Sequence, residues 1–227
     1  MLDNRRVSAA YDVPPERLGR WLERWAERHG GGTVTTIEAD AVTFTAADGA
    51  TVRCEPPFPP LDPDVLGPRH GLDIEPLLDH VRRERTVGVV LVRLGGFAVG
   101  VFAGRELQAS KVGSRLVHGR HRAGGSSANR FRRRRDNQAK AALDAAADTA
   151  VALLAEPARA GALDAVVRGG DRRALEEVLA DPRLRDVARL AVERVLEVPE
   201  PRRKVLDATP GLFLATRVRP SDEEAAP

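Results

Sequence analysis

The stretch "VGVVLVRLGGFAVGVFAGRELQASKV", residues 87–112, contains three strand-forming segments separated by two short connections. The segments are residues 87–94, 97–103 and 106–112, and the connections are Gly95-Gly96 and Gly104-Arg105. Connections this short join antiparallel neighbours, so the stretch predicts a three-stranded meander. Arg93 interrupts the apolar run, and an arginine in the middle of a membrane span is costly, which favours strands over a membrane helix.

The sequence after the meander alternates between helix and strand patterns. A helix is predicted over 129–155, where apolar residues recur at helical spacing. "LDAVVRGG" predicts a buried strand, and "DRRALEEVLA" predicts a helix capped by Asp171. "RVLEVP" predicts a strand, "EPRRKVLDA" a helix and "LFLATRV" a final strand, whereas 182–196 remains open between helix and strand. The fold class is therefore α+β, with a mixed sheet formed by the meander and the helix–strand repeats and covered by helices.

The sequence before the meander predicts a small, separate α+β unit over residues 1–54. Residues 14–29 form an amphipathic helix, and "TVTTIE", "AVTFTA" and "TVRCE" alternate like strands, with Asp48-Gly49 as a hairpin turn. Residues 55–71 are the predicted linker, because six of the sixteen prolines lie between 56 and 68. Residues 72–219 then form the larger domain, opening with a short helix over 74–85. Residues 220–227 are expected to be disordered.

Composition restricts the chemistry that the chain can perform. The single cysteine, Cys54, cannot form an internal disulfide or a multi-cysteine metal site. The histidines outside the basic segment discussed below, His29, His70 and His80, lack metal-ligand spacing, so no metal and no cofactor is expected. The N-terminus has no apolar run typical of a signal peptide, which together with the cysteine count favours a cytoplasmic protein.

Charge is concentrated in one segment, "HGRHRAGGSSANRFRRRRDNQAK", residues 118–140. It holds seven arginines and one lysine against the single acid Asp136, a net charge of +7. The whole chain carries +3, so the other 204 residues carry −4. An acidic body with one strongly basic segment indicates a localised binding site for a polyanion.

Three interpretations compete for this segment. A solvated surface loop is disfavoured because the arginines of 130–135 would lie at the positive end of a helix dipole, where cations are unfavourable. Nucleic-acid binding would explain them, since arginine makes bidentate phosphate contacts. The predicted contacts are His118, Arg120, His121, Arg122, Arg130, Arg132, Arg133, Arg134, Arg135 and Lys140. The third interpretation adds catalysis, because Gly124-Gly125 allows backbone N–H groups to approach a substrate closely.

A meander, a glycine-containing loop and a long helix in this order resemble the middle domain of eukaryotic and archaeal class I peptide-chain release factors. The sequence is more similar to the Vms-like release factor (VLRF) family, whose loop is basic and reads Gly-Gly-Ser-Gln. Gly124, Gly125 and Ser126 match the Gly-Gly-Ser part, and a composition rich in Arg, Ala and Pro favours an actinobacterial member. Ser127 stands where the eukaryotic members have a catalytic glutamine.

The resemblance implies a fold, an activity and a set of partners. The fold is that of the release-factor middle domain, with ribonuclease H-like topology. The activity is hydrolysis of the peptidyl-tRNA ester in ribosome rescue or quality control, with Gly124, Gly125, Ser126 and Ser127 as the catalytic loop. The partners are the large ribosomal subunit, peptidyl-tRNA and rRNA, and a monomer without membrane attachment is expected. The alternatives are a non-catalytic RNA- or ribosome-binding factor and a nuclease that cleaves the tRNA acceptor end.

Overall fold

The computed structural model describes residues 10–93, 95–114 and 128–221, and for residues 128–137 it describes the backbone alone. The described chain forms two compact units. The first consists of residues up to Arg83 together with the segment that begins at Gly211, and the second of Glu84–Pro210. The predicted division at residues 55–71 differs from this one, because the sheet of the first unit draws strands from both ends of the chain.

The first unit contains a six-stranded antiparallel sheet. Its strands lie in the spatial order β1-β11-β4-β3-β2-β5. The predicted Asp48-Gly49 hairpin is confirmed between β3 and β4: Gly49 has a φ of 90°, and its N–H donates to the carbonyl of Ala46 at 3.0 Å. The strands are β1 (Tyr11–Val13), β2 (Val34–Ile37), β3 (Val42–Thr45), β4 (Thr51–Glu55), β5 (Gly67–His70) and β11 (Thr216–Pro220).

Two helices contribute to the core of this unit, α1 (Pro15–Arg28) and α2 (Glu75–Arg82). The amphipathic pattern of α1 is confirmed, because Leu18, Leu22 and Trp25 are fully buried in a cluster with residues of the sheet. Burying side chains of this size stabilises the fold by about 1.5–3 kcal/mol each relative to leaving them in water.

The second unit contains a five-stranded mixed sheet with the order β10-β9-β6-β7-β8. The predicted meander is confirmed, since β6 pairs antiparallel with β7 and β7 with β8. β9 pairs parallel with both β6 and β10. The strands are β6 (Thr86–Arg93), β7 (Gly96–Ala103), β8 (Glu106–Ser114), β9 (Ala165–Gly170) and β10 (Ala191–Leu196).

A long helical segment packs against this sheet. It runs as α3 (Ala128–Ala150), a π-helical turn (Val151–Ala155) and α4 (Glu156–Arg159). The π turn precedes Pro157, which lacks an N–H and cannot continue the regular α-helical hydrogen bonds. The described residues of this unit also form α5 (Arg172–Leu179), α6 (Arg185–Arg189) and α7 (Arg203–Asp207), and α8 (Pro210–Phe213) lies where the first unit resumes. The predicted cap of α5 is confirmed, because Asp171 Oδ1 accepts from the N–H of Ala174 at 3.0 Å.

The structure corrects two local predictions and resolves one that the sequence left open. "LFLATRV" is not one strand, since α8 occupies its beginning and β11 starts only at Thr216. The open stretch 182–196 contains both alternatives, a 3-10 turn and α6 followed by β10. The proline-rich segment is also partly regular, because β5 pairs with β2 and places Pro68 opposite Thr36. Pro68 is tolerated there because β5 lies at the edge of its sheet.

Candidate nucleic-acid interface

The predicted site lies in a segment inserted between β8, which ends at Ser114, and α3, which begins at Ala128. Residues 115–127 are called the inserted segment below. The predicted catalytic residues and four of the predicted RNA contacts belong to it and lie outside the described residues, so their roles stay predictions. These residues are His118, Arg120, His121, Arg122, Gly124, Gly125, Ser126 and Ser127.

The inserted segment departs from one particular edge of the second sheet. Ser114 pairs with Gly96 of β7, and Gly96 pairs with Arg93 of β6. One residue earlier in β6, Val92 pairs with Gly170, the last residue of β9. The carboxyl ends of β6, β8 and β9 therefore lie side by side in one row, at the same end of the strands. This row of strand ends is called the Ser114 edge.

A close contact fixes β8 immediately before the inserted segment. Gly113 pairs with Phe97 across β7 and β8, and a Cβ added at Gly113 would overlap the Phe97 ring. Phe97 is only 5% exposed and belongs to the same apolar cluster as Ala146 of α3. Only glycine fits at position 113 without displacing this ring. Sequence reasoning ended the strand at residue 112 and missed this requirement, because the cross-strand partner of a glycine is not visible in the local pattern.

The five predicted arginine contacts of α3 lie in the part of the helix for which the structure describes the backbone alone, so their roles stay predictions. Arg130 and Arg132–Arg135 lie in its first two turns, and within the described side chains burial begins at Ala142. Ala142 follows Ala128 by fourteen positions, which correspond to about 21 Å along a helix axis. Arg130 lies in the first turn, where the helix dipole disfavours a cation, and the four arginines after it add charges that repel one another, which an anionic partner would offset.

Lys140, the last predicted RNA contact, lies in the exposed part of α3. Its Nζ lies 3.2 Å from Asp144 Oδ1, one helical turn away, and its side chain is 69% exposed. Exposed pairs of this kind contribute at most about 1 kcal/mol, so the ammonium can exchange its carboxylate for a phosphate at little cost. Its role in RNA binding stays a prediction.

The packed half of α3 is anchored by small residues and by one arginine. Ala146 and Ala150 of α3, and Leu154 of the π-helical turn that follows, are fully buried in the apolar cluster. Arg183 Nη2 donates to Asp148 of α3 at 2.8 Å and to Asp181 at 2.6 Å. Hydrogen bonds from the side chain and then the backbone N–H of Arg183 lower the pKa of Asp181 to about 2. These contacts fix the C-terminal half of α3 against the rest of the second unit.

Two arginines near the Ser114 edge donate hydrogen bonds to backbone carbonyls. Arg93 Nη1 donates to the carbonyl of Val198 at 2.7 Å. Arg168 Nη2 donates to the carbonyl of Val192 at 2.8 Å, beside the irregular part of the β9–β10 ladder. Both guanidinium groups therefore satisfy backbone carbonyls.

His29 and His80 each make a short polar contact within the first unit. His29 Nδ1 lies 2.7 Å from Asp48 Oδ2, and His80 Nε2 donates to the carbonyl of Pro57 at 2.9 Å. The backbone N–H of Ala50 and then the His29 side chain lower the pKa of Asp48. Within residues 10–93, 95–114 and 128–221, no group of three or more His, Cys, Asp and Glu side chains is arranged to hold a metal ion. Over the same ranges, no helix is both long and apolar enough to cross a membrane.

Comparison with known proteins places more than half of the chain in a described sequence family. Residues 85–219 match the family described as the Actinobacteria/chloroflexi VLRF1 release factor. No curated protein matches the chain. An archaeal translation termination factor, aRF1, is similar in structure with a TM-score of 0.36 and 15% identity, over 85% of this chain and 61% of that one. A structure described as an archaeal protein has a TM-score of 0.38 and 16% identity, over 89% and 65%. The chain thus spans less than two thirds of either neighbour.

Proposed function

This chain belongs to the Actinobacteria/chloroflexi VLRF1 release factor family, and we propose that it is a ribosome-associated, release-factor-like protein that hydrolyses the ester bond of peptidyl-tRNA. The observation that carries the proposal is the position of the inserted segment. It lies within the matched residues, between the edge strand β8 and a helix whose first two turns hold five arginines.

The proposed reaction is attack of water on the ester carbonyl that joins the peptide to the tRNA. Gly124 and Gly125 allow the backbone to approach the ester, since no side chain intervenes. The backbone N–H of Ser127 donates to the oxyanion that develops on the carbonyl oxygen. One well-placed donor of this kind contributes about 100-fold or more to the rate. The ester bond then breaks, and the 3′-terminal ribose oxygen of the tRNA leaves with a proton.

The arginines of α3 bring the RNA and the glycines together. Guanidinium groups contact phosphates of the tRNA acceptor end and of rRNA, and these contacts carry little sequence information. A stretch of basic helix ahead of the packed part of α3 allows the inserted segment to enter a cavity lined by RNA, which a whole folded unit would not fit.

The proposed setting follows from the same activity. The partners are the large ribosomal subunit, peptidyl-tRNA and rRNA, and the protein acts as a monomer in the cytoplasm, in ribosome rescue or quality control. The second unit is assigned the release-factor middle-domain fold with ribonuclease H-like topology, which the strand order β10-β9-β6-β7-β8 supports.

A second candidate function is that of a ribosome-binding factor without catalysis. Ser127 favours it, because a serine at this position keeps the backbone N–H of the family's glutamine and loses its side-chain amide. The arginines of α3 serve equally well in this alternative.

Incubation of the protein with stalled complexes of the large subunit and peptidyl-tRNA tests the proposal directly. We expect release of the peptide with an intact tRNA 3′ end. Replacing Gly124 and Gly125 by alanine should abolish release and leave thermal unfolding nearly unchanged. Gly211→Ala is the matched control, because an added Cβ meets nothing within 4 Å there. Binding without release would support the second candidate, and a shortened tRNA would indicate a nuclease.

A further inference from the structure

We propose that Arg172 and Arg173, at the beginning of α5, form a second phosphate-binding surface at the Ser114 edge, in addition to the arginines of α3. The partner chemistry is the sugar–phosphate backbone of RNA. The inference rests on the proposed function only for the identity of that RNA, the tRNA and rRNA near the peptidyl transferase site. The binding surface itself is argued from described residues.

Both side chains are available to a partner. Arg172 and Arg173 are exposed, and neither forms an ion pair with a carboxylate in the described part of the chain. Their situation differs from that of Arg93 and Arg168, whose guanidinium groups donate to backbone carbonyls. An exposed arginine keeps all five N–H donors for a phosphate.

The pair lies at the Ser114 edge of the second sheet. Arg172 follows Gly170, the last residue of β9, by two residues. Across the sheet, Gly170 pairs with Val92, which is next to Arg93, and Arg93 is in register with Gly96 and Ser114. β9 and β8 are separated by β6 and β7, so their ends are roughly 14 Å apart at the usual strand spacing. α5 also packs against α3, through Leu175 and Val178 in the cluster that contains Ala146.

Arg172 and Arg173 are not needed to stabilise α5, the helix in which they lie. Asp171 already caps α5, accepting from the N–H of Ala174. Cations in the first turn oppose the helix dipole, so Arg172 and Arg173 weaken α5. α3 shows the same arrangement, with arginines in its first turns. Two helices of one unit therefore begin with unfavourable arginines, and one extended polyanion along the Ser114 edge would stabilise both.

The salt dependence of RNA affinity provides the test. The probe is a fluorescein-labelled single-stranded oligouridylate, and its affinity for the full chain is measured by anisotropy over a series of KCl concentrations. Each phosphate contact on a single strand contributes about 0.7 to the slope of log affinity against log salt. Arg173→Ala should lower the slope by about 0.7, and the double variant with Arg172→Ala by about 1.4.

Arg159→Ala is the matched control. Arg159 is exposed in α4, shortly after Leu154, which lies against Gly88 near the beginning of β6 and thus towards the opposite edge. The Arg159→Ala substitution removes the same charge as Arg173→Ala and should leave the salt slope unchanged. The double variant Arg172→Lys with Arg173→Lys keeps both charges and should retain most of the slope, which separates loss of contact from loss of fold.

An unchanged slope in the double alanine variant would overturn the inference, and so would an equal fall in Arg159→Ala. Either result leaves the proposed function intact if peptide release persists. Conversely, the expected slopes without any peptide release would contradict the proposed hydrolysis, and the proposed phosphate-binding surface would stand. The two proposals are therefore tested separately.

Discussion

Phe97 and Gly113 pair directly across β7 and β8, and the phenyl ring occupies the space where any other residue at position 113 would place its Cβ. Gly113 is the penultimate residue of β8. Phe97 is buried in the cluster that also holds α3. The contact therefore connects the strand that leads into the inserted segment with the core beneath the helix that follows it.

Substitution of Gly113 by alanine should destabilise the protein. The added methyl group must displace the Phe97 ring, and overpacking of this kind typically costs about 1–3 kcal/mol of unfolding free energy. Urea unfolding of the parent and the variant measures the difference, with Gly211→Ala as a control that meets no neighbour. Equal stability of Gly113→Ala and the parent would show that the ring moves aside freely.

Neutralising arginines in the first turns of α3 should weaken RNA binding at every sequence tested. Replacing Arg132, Arg133 and Arg134 by alanine removes three phosphate contacts if all three bind. The salt slope on a single strand should then fall by about two, at about 0.7 per contact. Anisotropy titrations at several salt concentrations, on RNAs of different sequence, provide the measurement. A slope equal to that of the parent would assign these arginines to a solvated face.

Substitutions at Ser127 should separate the roles of backbone and side chain in peptide release. If the backbone N–H stabilises the oxyanion, Ser127→Ala keeps most of the activity. Ser127→Pro deletes this N–H and should lower the rate about 100-fold or more. Ser127→Gln restores the amide found in the eukaryotic members and should hold or raise the rate. Release kinetics on stalled large-subunit complexes measure all three variants.

Two controls make the Ser127 series interpretable. Proline also restricts Ser126 towards extended geometry, so circular dichroism and RNA affinity must match the parent before rates are compared. If alanine proves as damaging as proline, the serine hydroxyl takes part and the backbone mechanism is wrong. If the parent and all three variants bind ribosomes without release, the protein is a binding factor.

Acid should remove the contribution of Asp181 to stability. Its pKa is about 2 in the folded protein, below the ordinary value of 3.8, so the ionised carboxylate stabilises the native state. This contribution is fully present above about pH 4 and is lost as the pH falls towards 2. The melting temperature of Asp181→Asn should therefore lie below that of the parent at pH 5, and the two should converge at lower pH. A difference that does not change with pH would contradict the charged contact with Arg183.

Much of the local structure was determined by the sequence alone. Short glycine connections predicted the β6–β7–β8 meander, Asp48-Gly49 predicted the β3–β4 hairpin, and Asp171 predicted the beginning of α5. These signals depend on the φ preferences of glycine and on hydrogen bonds within a few residues, so they act in the same way in any fold. The basic character of residues 118–140 was equally plain from the sequence.

Only the tertiary structure decided the arrangements that join distant parts of the chain. β11 pairs with β4 and β1 in the first unit, although the local pattern assigned the end of the chain to the larger domain. Arg168 donates to the carbonyl of Val192 in the irregular β9–β10 ladder, and Gly170 brings Arg172 to the edge from which the inserted segment departs. Strand pairing forms hydrogen bonds between backbone groups that are far apart in sequence. The partner of a strand is therefore decided by which other strands the fold leaves with an unpaired edge, and the local sequence does not show this.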